Sequence, residues 1–185
     1  MSDPDAEVLA RIVSGDKQAV RVLYTRHATK LFRFLVGIVK SEAIAEELVN
    51  ETFIDVWRKA NTFSGNSRVS SWIFTIGRNR AISTLRKRQD VAIDDDQANA
   101  IPDDVDSALD ALAKQDKAVA MRGCIDLLSV GMREVIDLVY YQELRITDVA
   151  DILDIPENTV KTRLFHARKT LSEHFRRAGI DRGWP

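Results

Sequence analysis

This chain of 185 residues has one cysteine, Cys124, and three histidines, His27, His166 and His174. A single cysteine excludes an internal disulfide, and the scattered histidines have no spacing that suits structural zinc. We therefore expect Cys124 to be a small buried apolar residue. We expect no metal and no cofactor.

Long apolar runs are also missing. No stretch approaches the length of a membrane span, and the acidic start MSDPDAEV has no apolar signal core. The sequence therefore predicts a cytoplasmic protein without membrane insertion.

Glycine and proline are scarce, with eight and four residues, and amphipathic spacing runs through most of the chain. This pattern predicts an all-α fold. A loop is expected at 61–69. Helices are expected near 5–14, 17–40, 42–60, 70–89, 107–128, 131–143, 147–153 and 157–177.

Basic residues are absent from 91–112, which holds seven acidic ones within and around DVAIDDDQANAIPDDVDS. Charge, proline and the lack of periodicity predict a flexible acidic linker. The sequence thus divides into two small helical domains, 1–90 and 113–185, joined by the linker 91–112. The domains carry net charges of +5 and +1, and their small cores are expected to be marginal alone.

Catalytic motifs are missing as well. The chain has no glycine-rich phosphate loop, no HExxH and no nucleophile–base spacing. We therefore expect a binding protein and not an enzyme.

The stretch from Ile146 to Ala178 predicts a helix-turn-helix. Thr147 is expected to cap the first helix, and Asp154-Ile155-Pro156 ends it because proline disfavours helix continuation. The second helix has an apolar stripe, which is expected to be buried, at Val160, Leu164, Ala167, Leu171 and Phe175.

The opposite face of that second helix points away from the core. It carries Asn158, Thr162, Phe165 and Lys169, flanked by Lys161 and His166. An exposed aromatic among cationic and hydrogen-bonding side chains suits base edges and phosphates. This face therefore predicts a DNA-binding surface.

The helix expected at 42–60 is predicted to bury Val49, Phe53, Val56 and Trp57. Glu47, Glu51 and Asp55 step by four along another face, with Asn50 beside them. Two interpretations stay open: a solvated face, or a carboxylate ridge that docks on a basic protein partner.

The loop 61–69, NTFSGNSRV, is small and polar around Gly65 and precedes a basic helix. Residues 64–89 hold six basic side chains and no acidic one. Trp72, Ile76, Asn79, Ser83 and Arg86 share one side of this helix. Aromatic and amide groups beside cations suit single-stranded DNA, although Trp72 alone also fits a core position.

Three segments in order resemble one known family: AEELVNETFIDVWRKANTF, SSWIFTIGRNRAISTLRKR and REVIDLVYYQELRITDVADILDIPENTVKTRLFHARKTL. The chain is similar to bacterial extracytoplasmic-function (ECF) sigma factors of the sigma-70 family. The resemblance implies that RNA polymerase core and promoter DNA are partners, and that an anti-sigma factor controls the chain. It also implies that the linker threads toward the polymerase active-site and RNA-exit region.

The resemblance further implies roles for individual residues. Polymerase binding through the β′ clamp helices would involve Glu47, Asn50, Glu51 and Asp55, and the β flap would be a second contact. Capture of a flipped −10 base would involve the loop residues Phe63, Ser64, Gly65, Asn66 and Ser67. Contacts to the −10 element would come from Asn79, Arg80, Ser83, Arg86 and Lys87. Contacts to the −35 element would come from Asn158, Thr159, Lys161, Thr162, Phe165, His166 and Lys169.

Three positions depart from the usual family pattern. Asn50 stands where glutamine is common. Asp154 replaces a frequent turn glycine, and aspartate tolerates left-handed backbone better than most residues. His166 stands where arginine is frequent, which puts the −35 sequence preference in question.

Two alternatives compete with a promoter-specificity subunit. An ordinary helix-turn-helix regulator would bind duplex DNA alone, which leaves the 64–89 surface and the acidic linker unexplained. A decoy that only sequesters an anti-sigma protein would need no basic reading face.

Overall fold

The computed structural model describes residues 3–92 and 116–180, together with 105, 108, 109 and 113. All regular structure in this part of the chain is helical, as the sequence predicts. The helices are α1 Ala6–Val13, α2 Lys17–Val39, α3 Glu42–Lys59, a 3-10 turn Ala60–Thr62, α4 Val69–Ala92, α5 Lys117–Asp126, α6 Val130–Ile136, α7 Ile146–Leu153 and α8 Glu157–Arg177.

Side-chain caps set the starts of α2 and α3. Asp16 Oδ1 accepts the Gln18 N–H at 2.9 Å, and Ser41 Oγ accepts the Ile44 N–H at 3.5 Å. Each cap satisfies a backbone donor that the helix cannot pair internally. Between them Lys40 adopts the left-handed conformation, with φ 54°, and ends α2. The two helices are therefore joined by a tight turn.

The N-terminal unit buries one side of each of its helices. Its largest fully buried side chains are Leu23, Leu31, Phe34, Leu35, Val56, Val69 and Ile73. Gly77 lets α4 approach α2 closely, since a Cβ there would lie 2.9 Å from Leu31 Cδ1. The same bundle buries Val49 and Phe53 of α3, as expected.

The C-terminal unit contains the helix-turn-helix as α7 and α8. Asp154 has φ 53°, so aspartate does occupy a left-handed turn position. The expected cap at Thr147 is wrong: α7 already includes Ile146, and Asp148 Oδ2 accepts the Arg145 N–H at 3.4 Å. The Asp148 carboxylate, and not the Thr147 hydroxyl, therefore accepts a backbone N–H at the start of α7.

The helix expected at 131–143 changes its winding. After Ile136 it continues as a π-helical segment, Asp137–Tyr141, which ends where the Gln142 N–H reaches the Asp137 carbonyl at 3.0 Å. Such wide turns are rare and are often found at functional sites.

The expected linker 91–112 falls mostly outside the described residues. Helix α4 extends to Ala92, slightly past its expected end. Leu109 is helical and fully buried in the core. The single helix expected near 107–128 is wrong, because Ala113 is a turn residue, Asp116 lies outside any helix and α5 begins only at Lys117.

The two units pack directly on each other in a closed arrangement. Helix α4 lies against α7, and α2 lies against α6. The buried side chains of both units form one continuous apolar cluster. The small cores expected from the sequence are thus combined into a larger one.

A buried ion pair holds this closed arrangement at its centre. Arg78 of α4 meets Glu134 of α6 through two hydrogen bonds, Nε–Oε1 at 2.7 Å and Nη2–Oε2 at 3.3 Å. The side chain of Glu134 is 4% exposed and that of Arg78 is 17% exposed. A two-pronged, largely desolvated pair of this kind fixes orientation as well as contact.

Weaker polar contacts surround the Arg78–Glu134 pair. Arg133 Nη1 donates to the Gly37 carbonyl at 3.4 Å, and Lys40 pairs with Asp126 at the surface. Arg68 Nε lies 4.0 Å from Asp148 Oδ2. Exposed pairs such as Lys40–Asp126 contribute little free energy.

Asp137 lies beside these contacts in a small crevice between α2 and α6, together with Phe34 and Gly37. Burial raises the pKa of the Asp137 carboxyl to about 6, although a hydrogen bond from Gln142 and the charge of Arg33 act to lower it. The folded chain therefore holds the Asp137 proton more tightly than the unfolded chain does.

We expect Asp137→Asn to stabilise the chain most at neutral pH. A folded pKa above the unfolded value of 3.8 means that stability falls as pH rises from about 4 to about 6. The amide has no charge to bury, so it should add up to about 3 kcal/mol at pH 7.5 and about half of that at pH 5. Urea unfolding at both pH values measures the difference. An equal gain at both values, or the same gain from Asp126→Asn on the surface, would contradict this assignment.

Candidate nucleic-acid and polymerase interfaces

The loop before α4 is fixed at both ends and exposed at its tip. The Phe63 ring packs on Trp72 with centroids 5.4 Å apart, and the Val69 N–H donates to Asp3 Oδ2 at 2.7 Å. Between these anchors Ser64, Gly65 and Asn66 are exposed. Gly65 has φ +75°, which other residues rarely adopt. The loop thus presents small polar groups on a firm base.

One face of α4 continues outward from this loop. Asn79, Ser83, Arg86 and Lys87 are exposed, while Trp72 and Ile76 are half-buried at its root. Phe74 and Ala81 on the other side of α4 are buried. Trp72 packs on the core and borders the exposed face.

Arg80 is engaged within the protein instead of lying on that face. Its guanidinium reaches Glu51 Oε2 at 2.6 Å through Nη1 and Asp55 Oδ2 at 2.7 Å through Nη2. Burial acts to raise the pKa of Asp55, but the hydrogen bonds and charge of Arg80, helped by Lys59, hold that pKa below its ordinary value. Arg80 thus ties α3 to α4.

The expected carboxylate ridge on α3 is only partly exposed. Glu47, Asn50 and Glu51 are exposed, but Asp55 is 7% exposed and lies under Arg80. The expectation that Trp57 is buried is wrong, because it is 39% exposed. A helix has 3.6 residues per turn, so residues spaced four apart shift gradually around its axis. Asp55, two such steps after Glu47, therefore faces α4.

Two residues that the sequence analysis missed extend the α3 surface. Ile54 is 49% exposed, and the Tyr24 hydroxyl donates to Asn50 Oδ1 at 3.3 Å. The Tyr24 ring also packs on Phe53, with centroids 4.9 Å apart. Ile54 follows Asn50 by four residues, so the sequence could have placed both on the same side of the helix. We call the set Tyr24, Glu47, Asn50, Glu51, Ile54 and Trp57 the α3 surface.

The outward face of α8 is open in the closed arrangement. Phe165 is 65% exposed, the most of any large apolar side chain in the described residues, and its ring meets His166 edge-on at 5.5 Å. Lys161 pairs loosely with Glu157 at 3.7 Å, and the Thr162 hydroxyl donates to the Asn158 carbonyl at 2.9 Å. Lys169 is exposed and Thr159 is half-buried.

The inward face of α8 is buried as predicted. Val160, Leu164, Ala167, Leu171 and Phe175 all lie in the core. Cys124 is buried too, and His174 Nδ1 lies 3.2 Å from its carbonyl oxygen. Within the described residues no group of histidine, cysteine, aspartate or glutamate side chains is placed to hold a metal ion. A membrane-crossing helix is likewise not found in that part of the chain.

Comparison with protein families matches both units. Sigma-70 region 2 matches residues 23–91, and sigma-70 region 4 matches residues 118–171. The ECF RNA polymerase sigma factor SigL of Mycobacterium tuberculosis is 32% identical over 176 residues, which cover 91% of this chain and 96% of SigL. The chain belongs to the ECF RNA polymerase sigma factors.

Other relatives agree with this assignment. The ECF sigma factor SigM of Bacillus subtilis is 29% identical over 161 residues, covering 86% of this sigma factor and 96% of SigM. A sigma factor directs RNA polymerase to promoters, so polymerase and promoter DNA are the partners of this chain.

Solved structures share the fold. The sigma factor RpoE of Bartonella quintana, in complex with the anti-sigma factor NepR, superposes with a TM-score of 0.69 at 25% identity, over 88% of this sigma factor and 98% of RpoE. CnrH, in complex with the cytosolic domain of CnrY, gives a TM-score of 0.67 at 23% identity, over 91% and 95% of the two chains.

Proposed function

We propose that the sigma factor divides promoter initiation among three surfaces. The α3 surface binds the polymerase β′ clamp helices. The loop 63–67 and the exposed face of α4 capture a flipped base and hold the −10 element. The outward face of α8 reads the −35 element, and the C-terminal unit meets the β flap. The factor contributes binding free energy and no catalytic group, and it works in the cytoplasm.

The observation that carries this proposal is the placement of exposed aromatic and cationic groups. Phe165 and Lys161 project from the second helix of a helix-turn-helix, the geometry that enters a major groove. Asn79 and Arg86 project beside a firmly anchored polar loop, which suits unstacked bases and their phosphates. Arg80 acts differently in this scheme, since it positions α3 against α4.

The closed arrangement is the inactive state in this proposal. The −10 and −35 elements lie about 25 base pairs apart, or about 85 Å at 3.4 Å per base pair. A compact chain of this length has a radius of gyration of about 16 Å. One closed molecule therefore cannot reach both elements, and the units must separate on the polymerase.

Control by an anti-sigma factor fits this scheme. The Bartonella relative was solved with such a protein bound. Helix α4 already contacts α7 here, so a partner that wraps the closed molecule needs no prior separation of the units. A partner that wedges between them would have to open the Arg78–Glu134 pair first. We therefore favour the wrapping mode. Neutron scattering from the complex, with the partner contrast-matched, should give the compact radius of the sigma factor itself, whereas an increased radius would contradict wrapping.

Reconstitution with core polymerase tests the promoter assignment. Holoenzyme made with the full chain should select and open promoters from a randomised duplex library. We expect Glu51→Ala to weaken core binding by about three- to tenfold, a loss typical of an interface charge. Glu7→Ala, which removes an exposed carboxylate on α1, is the matched control. Failure to open any duplex in the library would overturn the proposal.

The same material separates the two alternatives. A helix-turn-helix regulator would shift duplex DNA tightly and specifically without polymerase. A decoy would bind a small inhibitor but open no promoter. Pull-down of the native chain, followed by identification of the proteins retained, ranks all three.

A further inference from the structure

The segment Asp3–Asp5 crosses the N-terminal unit and links α2 to the start of α4. Asp5 is buried, and its carboxylate accepts from Arg26 Nη1 at 2.6 Å and lies 2.6 Å from His27 Nε2. Arg26 also reaches the Pro4 carbonyl at 3.3 Å. Two side chains of α2 therefore hold this segment in place.

Asp3 uses both of its carboxylate oxygens. Oδ1 accepts the Asp5 N–H at 3.0 Å, which fixes the local turn, and Oδ2 accepts the Val69 N–H at 2.7 Å. Val69 is the first residue of α4, 66 positions further along the chain. The carboxylate thus satisfies an orphan donor at the positive end of that helix.

The residues next to α4 offer no substitute for this cap. Arg68 precedes the helix and has no acceptor in its side chain. The Ser67 hydroxyl donates to the Arg68 carbonyl at 3.5 Å instead of accepting an amide. A helix start without a local Ser, Thr, Asp or Asn at its cap position leaves backbone amides for a distant side chain or water to satisfy. Asp3 fills that need.

We infer that Asp3 is a positioning residue for the base-capturing loop. The loop 63–68 begins where Phe63 packs on Trp72 and ends at the amide that Asp3 holds. Asp3 thereby sets the conformation in which Ser64, Gly65 and Asn66 face solvent. This role rests on the proposed −10 function of the loop.

The test compares Asp3→Ala with a cap deletion elsewhere in the same unit. Asp16→Ala is the matched control, because Asp16 caps α2 and also pairs with Arg11 at 2.6 Å. Each variant of the full chain is examined in two ways. Amide exchange is measured over residues 63–72. Promoter opening is measured with core polymerase on a duplex that the wild-type holoenzyme selects, using 2-aminopurine fluorescence in the −10 element.

We expect Asp3→Ala to speed exchange over 63–72 and to slow promoter opening by about three- to tenfold, in keeping with loss of one cap. Core binding should stay unchanged. Asp16→Ala should leave both readings at wild-type values, and Asp3→Asn, which keeps one acceptor oxygen, should lie closer to wild type than Asp3→Ala.

Wild-type exchange and opening in Asp3→Ala would overturn the inference, as would equal losses in Asp16→Ala. If instead the wild-type holoenzyme opens no duplex, the proposed promoter function fails, and not the role of Asp3. In that case the exchange measurement still tests whether Asp3 holds the loop.

Discussion

Glu134→Ala is expected to open the closed sigma factor. Without Glu134, the charge of Arg78, whose side chain is 17% exposed, would lose its ion-pair partner. Removing one partner of a buried ion pair destabilises the packed state by about 3–5 kcal/mol. That free energy shifts a closed-to-open equilibrium by about 2 × 10²- to 5 × 10³-fold. Small-angle scattering should therefore report a larger radius of gyration than for the wild-type chain.

Asp126→Ala is the matched control for this prediction. Asp126 also bridges the two units, through Lys40, but both side chains are about half exposed. An exposed pair is worth about 0–1 kcal/mol, so the closed shape should persist. If Asp126→Ala opens the molecule as much as Glu134→Ala does, desolvation of the Arg78–Glu134 pair is not what holds the units together.

A charge swap separates opening from local unfolding. Arg78→Glu alone should open the molecule, and combining it with Glu134→Arg should restore part of the compact radius, because the pair is rebuilt in reverse. Circular dichroism should show full helix content in every variant. An open double variant, or a compact Glu134→Ala, would contradict the role of this pair. If opening is a prerequisite for promoter binding, Glu134→Ala holoenzyme should also assemble faster than wild type.

Local periodicity predicted most of the helices and both faces of α8. The stripe from Val160 to Phe175 is buried and Phe165 is exposed, because a helix with one apolar side has one stable way to pack. Asp154 was recognisable in the turn because few residues other than glycine tolerate left-handed backbone.

Long-range pairing was not predictable from spacing. Asp55 steps in sequence with Glu47 and Glu51, but it faces α4, where Arg80 on that helix pairs with it. Asp3 and Val69 are far apart in the chain, so no local pattern could join them. The packing of α4 on α7 depends on shape complementarity between units, which single-sequence periodicity does not encode. Such contacts decide which charged residues are available to partners.

Lys161→Ala and Arg86→Ala are expected to reduce promoter-directed transcription strongly, each by a different route. Lys161 is exposed on the outward face of α8 and forms only a loose pair with Glu157 at 3.7 Å, so its loss leaves the fold intact. Losing one specific DNA contact removes about 1–3 kcal/mol, or roughly five- to 150-fold in affinity. Arg86 lies on the α4 face beside the loop, where its loss should reduce strand opening.

Matched controls come from the same units. Arg176 is exposed on α8, about 22 Å along the axis from Lys161. Lys30 is an exposed cation on α2, away from the α4 face. Arg176→Ala and Lys30→Ala remove one positive charge each, so they control for a general loss of attraction to DNA.

The two routes are separable on promoters of different design. Lys161→Ala should weaken binding of duplexes that carry the −35 element and lower the salt dependence by about one phosphate contact. It should spare transcription from a template with a premelted −10 bubble and no −35 element. Arg86→Ala should do the reverse, slowing opening while upstream affinity stays normal. If both variants lose the same activity on both templates, the two surfaces do not act as separate readers, and the assignment of α8 to the upstream element fails.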